Sequence, residues 1–239
     1  MSTFSVNRSH QQTLPAGISA GMPLALTLEE QLVRQKSALL VIDMQNDFVS
    51  EQGLLARRGL DLMPQRQVID NINRLVRVAR EAGVLVIWVQ TSHSFAEALS
   101  NYLSVHLRNL PRERWVHDEL LVSEGSEGAQ WHESIISRLP DEPLLTKNMY
   151  SAFRGTSLTQ ILDAHQVRSL VLAGVNTDVC IHSTATDAFF DGYYPVLCED
   201  ACATSTRETH EAILRTHRTF YGLTATLSDI EKLWAATPQ

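Results

Sequence analysis

Apolar and polar positions in this chain follow two alternating rhythms. Short apolar runs recur at Ser37-Ala-Leu-Leu-Val-Ile-Asp43, Val84 to Gln90, Pro143-Leu-Leu-Thr-Lys147, Leu170 to Ala173, Tyr194 to Cys198 and Phe220 to Leu227. Such runs mark strands buried on both faces of a parallel sheet. Between them lie stretches of helical period. Met63 to Ala82 sets Val68, Ile69, Ile72, Leu75, Val76 and Ala79 on one face and stops at Gly83. The pattern predicts further helices over 157–165 and 205–218, and a last helical turn ending near Ala236. Past Gly174, the cap types Thr177 and Asp178 open a helix with Val179, Ser183, Thr186 and Phe190 at helix spacing. Strand, helix, strand in that order implies right-handed parallel crossovers.

Two stretches lack either rhythm. Residues 1–36 are polar and punctuated by Pro15, Gly17, Gly21 and Pro23, with a short helix predicted over 28–35 capped by Thr27. They read as an N-terminal arm lying over the surface or on a neighbouring subunit, or as a partly disordered tail. Residues 37–239 read as one domain. Residues 91–140 carry His93, Trp115, His117, Trp131 and His132 among short helical patterns. They read as an excursion above the sheet that roofs a pocket, or as a solvated loop with aromatic anchors.

Composition narrows the function classes. A chain of 239 residues is long enough for one large α/β domain with a well-buried core. The net charge of −7, with no basic run, argues against nucleic acid. The 3 cysteines include no CxxC pair, so neither a disulfide framework nor a structural zinc site is indicated, and a cytoplasmic setting fits. There is no signal-peptide pattern and no apolar run of membrane-spanning length. There is no GxGxxG or P-loop, so no nucleotide or redox cofactor is expected.

Three polar side chains share one address. Asp43, Lys147 and Cys180 each lie at or just past the carboxyl end of a predicted strand, where open parallel sheets build ligand sites. Each follows an apolar run, where an unpaired charge is costly. Taken singly, Asp43 reads as a helix cap, Lys147 as a surface lysine and Cys180 as a small buried hydrophobe. Their common edge is what those readings leave unexplained. A helix start and a neighbouring lysine both favour a thiolate at Cys180, and a carboxylate can exchange its proton. Cys198, inside an apolar run, suits the role of buried hydrophobe, and Cys202 is ambiguous.

Three motifs carry these residues: Leu39-Leu-Val-Ile-Asp-Met-Gln-Asn-Asp-Phe48, Leu145-Thr-Lys-Asn-Met-Tyr-Ser-Ala-Phe153 and Ala173-Gly-Val-Asn-Thr-Asp-Val-Cys180. In order and at these separations they resemble the isochorismatase-like cysteine hydrolase family, from about Ala38 to about Leu227. The resemblance implies a doubly wound, six-stranded parallel sheet with helices on both faces, a Rossmann-like three-layer α/β sandwich. It implies a triad of Asp43, Lys147 and Cys180, a cis peptide between Val175 and Asn176, and an oxyanion hole from the N–H groups of Asn176 and Cys180.

The resemblance also bears on substrate. The nicotinamidase branch carries an Asp-x-His…His metal motif after the second strand. Here the chain reads Gln90-Thr-Ser-His-Ser-Phe95, so no metal is expected. The isochorismate-cleaving branch need not carry the cysteine, whereas this chain does. The segment Tyr150 to Thr156 looks most like ureide hydrolases, which act on biuret, triuret, ureidoacrylate or N-carbamoyl compounds. The expected reaction is hydrolysis of a C–N bond in a small ureide or carbamoyl compound through a thioester. Phe48, Tyr150 and Phe153 are the expected apolar walls, Gln90 and Asn176 the amide contacts, and Arg154 and Arg218 candidate carboxylate partners. A small-molecule substrate and a homo-oligomer, dimer or tetramer, complete the expected partners. The rival readings are isochorismatase or another small-amide hydrolase, a non-catalytic α/β binding domain, and a thiol redox protein.

Overall fold

The computed structural model describes residues 24–94, 104–105, 108 and 120–235. Trp115 and His117, and most of the N-terminal arm, lie outside the described residues. Within them the strands are β1 (Ser37–Ile42), β2 (Leu85–Thr91), β3 (Leu144–Lys147), β4 (Ser169–Val175), β5 (Tyr194–Ala203) and β6 (Leu223–Ala225). They form one parallel sheet in the order β3-β2-β1-β4-β5-β6. The chain runs outward from β1 to β3, crosses to β4, and runs outward again. The strand order therefore reverses between β1 and β4, the place where such sheets open a crevice at their carboxyl edge.

Alternation along β1 explains the layers. Leu39 and Val41 face one way, into a core shared with Ile72, Leu75 and Val76 of a helix over Ile69–Glu81 and with Ile230 and Trp234 of a helix over Leu227–Ala235. Ala38, Leu40 and Ile42 face the other way, toward Leu158 and Leu162, Ala185 and Ala188, and Leu214. Those belong to helices over Leu158–Ala164, His182–Phe190 and Arg207–Phe220. Helices on both faces leave every β1 side chain buried, which is why the strand reads as an unbroken apolar run.

In chain order the helices are α1 (Leu28–Gln31), α2 (Asn46–Val49), α3 (Leu54–Arg57), α4 (Met63–Gln67), α5 (Ile69–Glu81), α6 (Leu158–Ala164), α7 (His182–Phe190), α8 (Arg207–Phe220) and α9 (Leu227–Ala235). Thr27 caps α1 in a reciprocal capping box with Glu30. The stretch predicted as one helix over 63–82 is two, divided at Val68.

Two strand predictions are corrected. β5 extends five residues past Cys198, through polar Glu199 and Asp200, because its register with β4 shifts between Leu172 and Gly174. Asp200 is tied there by its side chain to the Leu227 N–H and by its carbonyl to Asn71 Nδ2. The run Phe220 to Leu227 is mostly not strand. α8 continues through Phe220, only Leu223–Ala225 pair with β5, and Leu227 already starts α9. An exposed helix-end phenylalanine next to a short strand imitates one long apolar run.

Candidate active site

Four strand ends converge at the reversal point. β1 leads into Asp43, whose backbone turns to φ 57° while its N–H still bonds Val89 O at 2.9 Å. Left-handed backbone is tolerated by aspartate better than by most residues. The turn is followed by Gln45, whose side chain holds both backbone groups of Thr91, at the end of β2 (2.8 Å each). On the other side Gly174 approaches β1 so closely that a Cβ there would lie 2.0 Å from Ile42 O. Its φ of 125° also favours glycine. The next peptide, Val175–Asn176, is cis, as the resemblance implied.

β4 then enters a π-turn over Thr177–Ile181 before α7 begins. Cys180 thus lies in a π-turn rather than in the first turn of an α-helix, and its N-cap is Asn176 rather than Thr177 or Asp178. Those two residues pin the turn from outside. Thr177 Oγ1 and His210 Nδ1 are 2.9 Å apart, and Thr204 Oγ1 donates to Asp178 Oδ1 at 2.6 Å.

The structure brings Asp43, Lys147 and Cys180 together. Lys147 Nζ donates to Asp43 Oδ2 at 2.8 Å and lies 3.4 Å from Cys180 Sγ. Thr91 joins them: Lys147 Nζ donates to Thr91 Oγ1 at 2.5 Å, and Thr91 Oγ1 donates to Asp43 Oδ1 at 2.8 Å. All four side chains are buried. A second strand ending at Gln90, as the apolar run suggests, leaves Thr91 out of the site. The same strand-end criterion, applied one residue later, finds it.

Electrostatics assign the protons. Burial alone would lower the Lys147 pKa, but the charges of Asp43 and Cys180 and the hydrogen bonds to them outweigh it, so the ammonium is held above the usual lysine range. For Cys180, burial acts first and the Asp43 charge adds to it; Lys147 opposes both and does not prevail, so the thiol is pushed well up. The expectation of a depressed thiol pKa is therefore reversed. The helix start and the lysine do favour the thiolate, but desolvation and a carboxylate disfavour it more. Burial and the Asp43 charge thus favour the thiol over the thiolate beside the buried Lys147–Asp43 salt bridge.

Cys180 borders a cavity of about 240 Å³. Phe48, Leu55, Leu60, Leu121, Met149 and Val179 make it largely apolar; Thr91, Tyr150, Asn176, Asp178, Thr204 and Ser205 supply the polar atoms. Phe48 and Tyr150, expected as apolar walls, and Asn176, expected as an amide contact, line this cavity. Tyr150 is presented by a loop fastened to α7 through Ala152 N–Thr184 Oγ1 (3.1 Å) and the Arg154–Asp187 pair (2.8 and 2.6 Å).

Four sequence-based contacts are corrected. Gln90 does not line the cavity: its amide donates to Thr146 Oγ1 and accepts from Trp131 Nε1. Strand alternation turns residue 90 to the face opposite Thr91. Phe153 packs on Tyr193, ring centroids 5.7 Å apart, instead of on the cavity. Arg154 is taken up by Asp187, and Arg218 by Glu199 at 3.1 Å. Among the described residues no group of three or more His, Cys, Asp or Glu could hold a metal ion, and no helix is long and apolar enough to cross a membrane. A larger polar groove of about 950 Å³, on the other side of the 46–57 segment, does not include Cys180.

Comparison with known proteins supplies the context. The isochorismatase domain model matches residues 37–231. The chain is 36% identical over 240 residues to ureidoacrylate amidohydrolase RutB of Klebsiella variicola (strain At-22), covering 95% of each. Among solved structures, a cysteine hydrolase from Pseudomonas syringae pv. phaseolicola 1448A superposes with a TM-score of 0.76 at 20% identity, covering 90% of this chain and 99% of that one. N-carbamoylsarcosine amidase from Thermoplasma acidophilum superposes with a TM-score of 0.63 at 26% identity, covering 81% and 97%.

Proposed function

The chain belongs to the isochorismatase family, and from that premise we propose that it is a cysteine-dependent amidohydrolase cleaving a C–N bond of a small ureide or carbamoyl compound. The observation that carries the reading is the buried row Cys180–Lys147–Asp43 at the wall of a small, mostly apolar cavity. The similarity to a ureidoacrylate amidohydrolase supports the substrate class.

In the proposed cycle, Asp43 takes the Cys180 proton as the thiolate adds to the substrate carbonyl carbon. This order suits a resting thiol that is neutral and a carboxylate already in place. Lys147 compensates the negative charge that moves to sulfur and then to oxygen. The N–H groups of Asn176 and Cys180 hold the carbonyl oxygen, each good donor contributing about 3 kcal/mol. In support, Val179 and Ile181 N–H bond Asn176 O three and five residues back, so the π-turn skips the i→i−4 bond that an α-helix would give the Cys180 N–H. The C–N bond breaks and Asp43 returns the proton to the departing nitrogen, which leaves as ammonia or an amine. Asp43 then takes a proton from water as it adds to the thioester. The C–S bond breaks and Cys180 regains the proton.

The test is ammonia release from ureidoacrylate-like acids, N-carbamoyl amino acids, biuret, triuret and nicotinamide. A ureide should exceed nicotinamide by about 100-fold or more in kcat/KM, because a site built to pair several N–H and C=O groups leaves its own polar atoms unpaired with a poorer partner. Preference for nicotinamide, or no ureide turnover above background, would reject the ureide reading.

A further inference from the structure

Gln65 on α4 is 0% exposed, yet its amide serves no backbone group of its own helix. Its Nε2 donates to Asn176 Oδ1 at 3.0 Å. Its Oε1 has no hydrogen-bond partner among the described residues. A buried acceptor left unpaired is destabilising, so an apolar residue would suit α4 better if packing were the only requirement. The polar side chain is explained by Asn176.

Asn176 is itself used unusually. As N-cap it would ordinarily turn its side-chain oxygen back onto the N–H groups of the following turn. No such bond is present, because Oδ1 is held by Gln65. A primary amide has one acceptor end and one donor end. With the acceptor end fixed on Gln65, the donor end remains. Asn176 Nδ2 bonds no described residue, and Asn176 lines the cavity beside Cys180.

We propose that Gln65 is a positioning residue that holds the Asn176 NH2 toward the cavity, and that the site thereby selects substrates carrying an acceptor oxygen, a carboxylate or carbonyl, next to the group attacked by Cys180. This rests on the amidohydrolase reading for what the cavity holds. It adds the polarity of one wall: a donor faces the substrate beside the nucleophile, supplied by a residue whose orientation is set outside the cavity.

The test uses a matched pair, 3-ureidopropionate and propylurea, which differ by a carboxylate in place of a methyl. Dissociation constants are measured on full-length Cys180→Ala protein, so that turnover plays no part. The acid should bind at least about 10-fold more tightly, one good charge-assisted hydrogen bond being worth that much. Adding Gln65→Met should reduce the preference to about 3-fold or less, and adding Asn176→Ala should do the same. The two together should cost no more than either alone, since they act on one contact. With Cys180 restored, Gln65→Met should raise KM for an acidic ureide while kcat stays within about 3-fold, a split that general loosening of the site would not produce. Equal binding of the pair, binding of neither, or a preference that survives Asn176→Ala overturns the proposal, whether or not the Gln65 variant folds. A preference for propylurea would mean that the amide faces the other way and overturns it too. If the binding pattern holds but wild-type protein hydrolyses no ureide, the amidohydrolase reading fails and the positioning role stands. If ureides are hydrolysed and Gln65→Met changes nothing, the reverse is true.

Discussion

Cys180 and the pair Cys198–Cys202 form two thiol regions a strand apart, alike in the properties most often used to recognise a reactive cysteine. All three are free, with 7%, 0% and 3% exposure respectively, and burial pushes all three thiols above their ordinary pKa. They differ in what surrounds the sulfur. Cys180 has the Lys147 ammonium at 3.4 Å and a cavity in front of it. Cys198 donates to the Asp200 carboxylate at 3.4 Å, and Cys202 to Leu172 O at 3.3 Å. A thiolate formed in β5 would face acceptors in the core. One formed at Cys180 would face a cation, with a carboxylate close enough to have taken its proton. Burial and a raised pKa therefore do not set Cys180, the proposed nucleophile, apart from Cys198 and Cys202; the nearest charge and the open space beside it do.

The largest effect expected from this contrast is on Cys180→Ala. Turnover should fall by at least about 10⁴-fold, with the melting temperature almost unchanged, because a small side chain at a cavity wall is removed. Steady-state kinetics beside Cys198→Ala settles it, and equal losses in the two variants would erase the contrast.

Lys147→Ala should come next, at about 10²- to 10⁴-fold in kcat/KM. It also leaves the Asp43 carboxylate buried without its cation, a destabilisation of about 3–5 kcal/mol measurable by denaturant titration. The pH dependence follows from the same charge. Lys147 is the group that lowers the Cys180 pKa, so its removal raises the thiol further. Iodoacetamide alkylation of Cys180 should then be slower at any given pH, with its rise displaced to more alkaline pH. An unmoved profile would separate Lys147 from the thiol.

Thr91→Val keeps the shape and removes the hydroxyl that bridges Asp43 and Lys147. We expect about 10- to 100-fold in kcat and about 1–3 kcal/mol in stability, since two charged partners lose a buried hydrogen bond. Wild-type kcat in this variant would show that the Asp43–Lys147 pair holds its geometry unaided.

The smallest effects belong to β5. Cys198→Ala and Cys202→Ala should each keep turnover within a few-fold and cost about 1 kcal/mol in thermal or chemical unfolding. A large activity loss in either would mean that the β4–β5 bulge, and not only the π-turn, sets the position of Cys180.

Much of this arrangement was legible in the residues. Asp43, Lys147 and Cys180 could be grouped because each lies at or just past the carboxyl end of a strand readable from its apolar run, and parallel strands deliver those ends to one edge. Phe48, Tyr150 and Asn176 follow closely along the chain from those same strand ends, so local connectivity was enough to place them by the cavity. Gln90 and Phe153 were misplaced by a difference of one or a few positions, which along a strand or tight loop sends a side chain to another face.

The sequence by itself determined the alternation of buried strands and helices, the parallel α/β class and the three residue types at the carboxyl edge. These follow from local hydrophobic period and from the cost of placing charge after a buried strand. Only the tertiary structure decided that Thr91 bridges Asp43 and Lys147, that burial and a neighbouring carboxylate push the Cys180 thiol up, and that Gln65, distant in sequence, bonds Asn176. Those outcomes depend on contacts between segments far apart in the chain and on the balance of desolvation against neighbouring charge. Neither is encoded in any local run of residues.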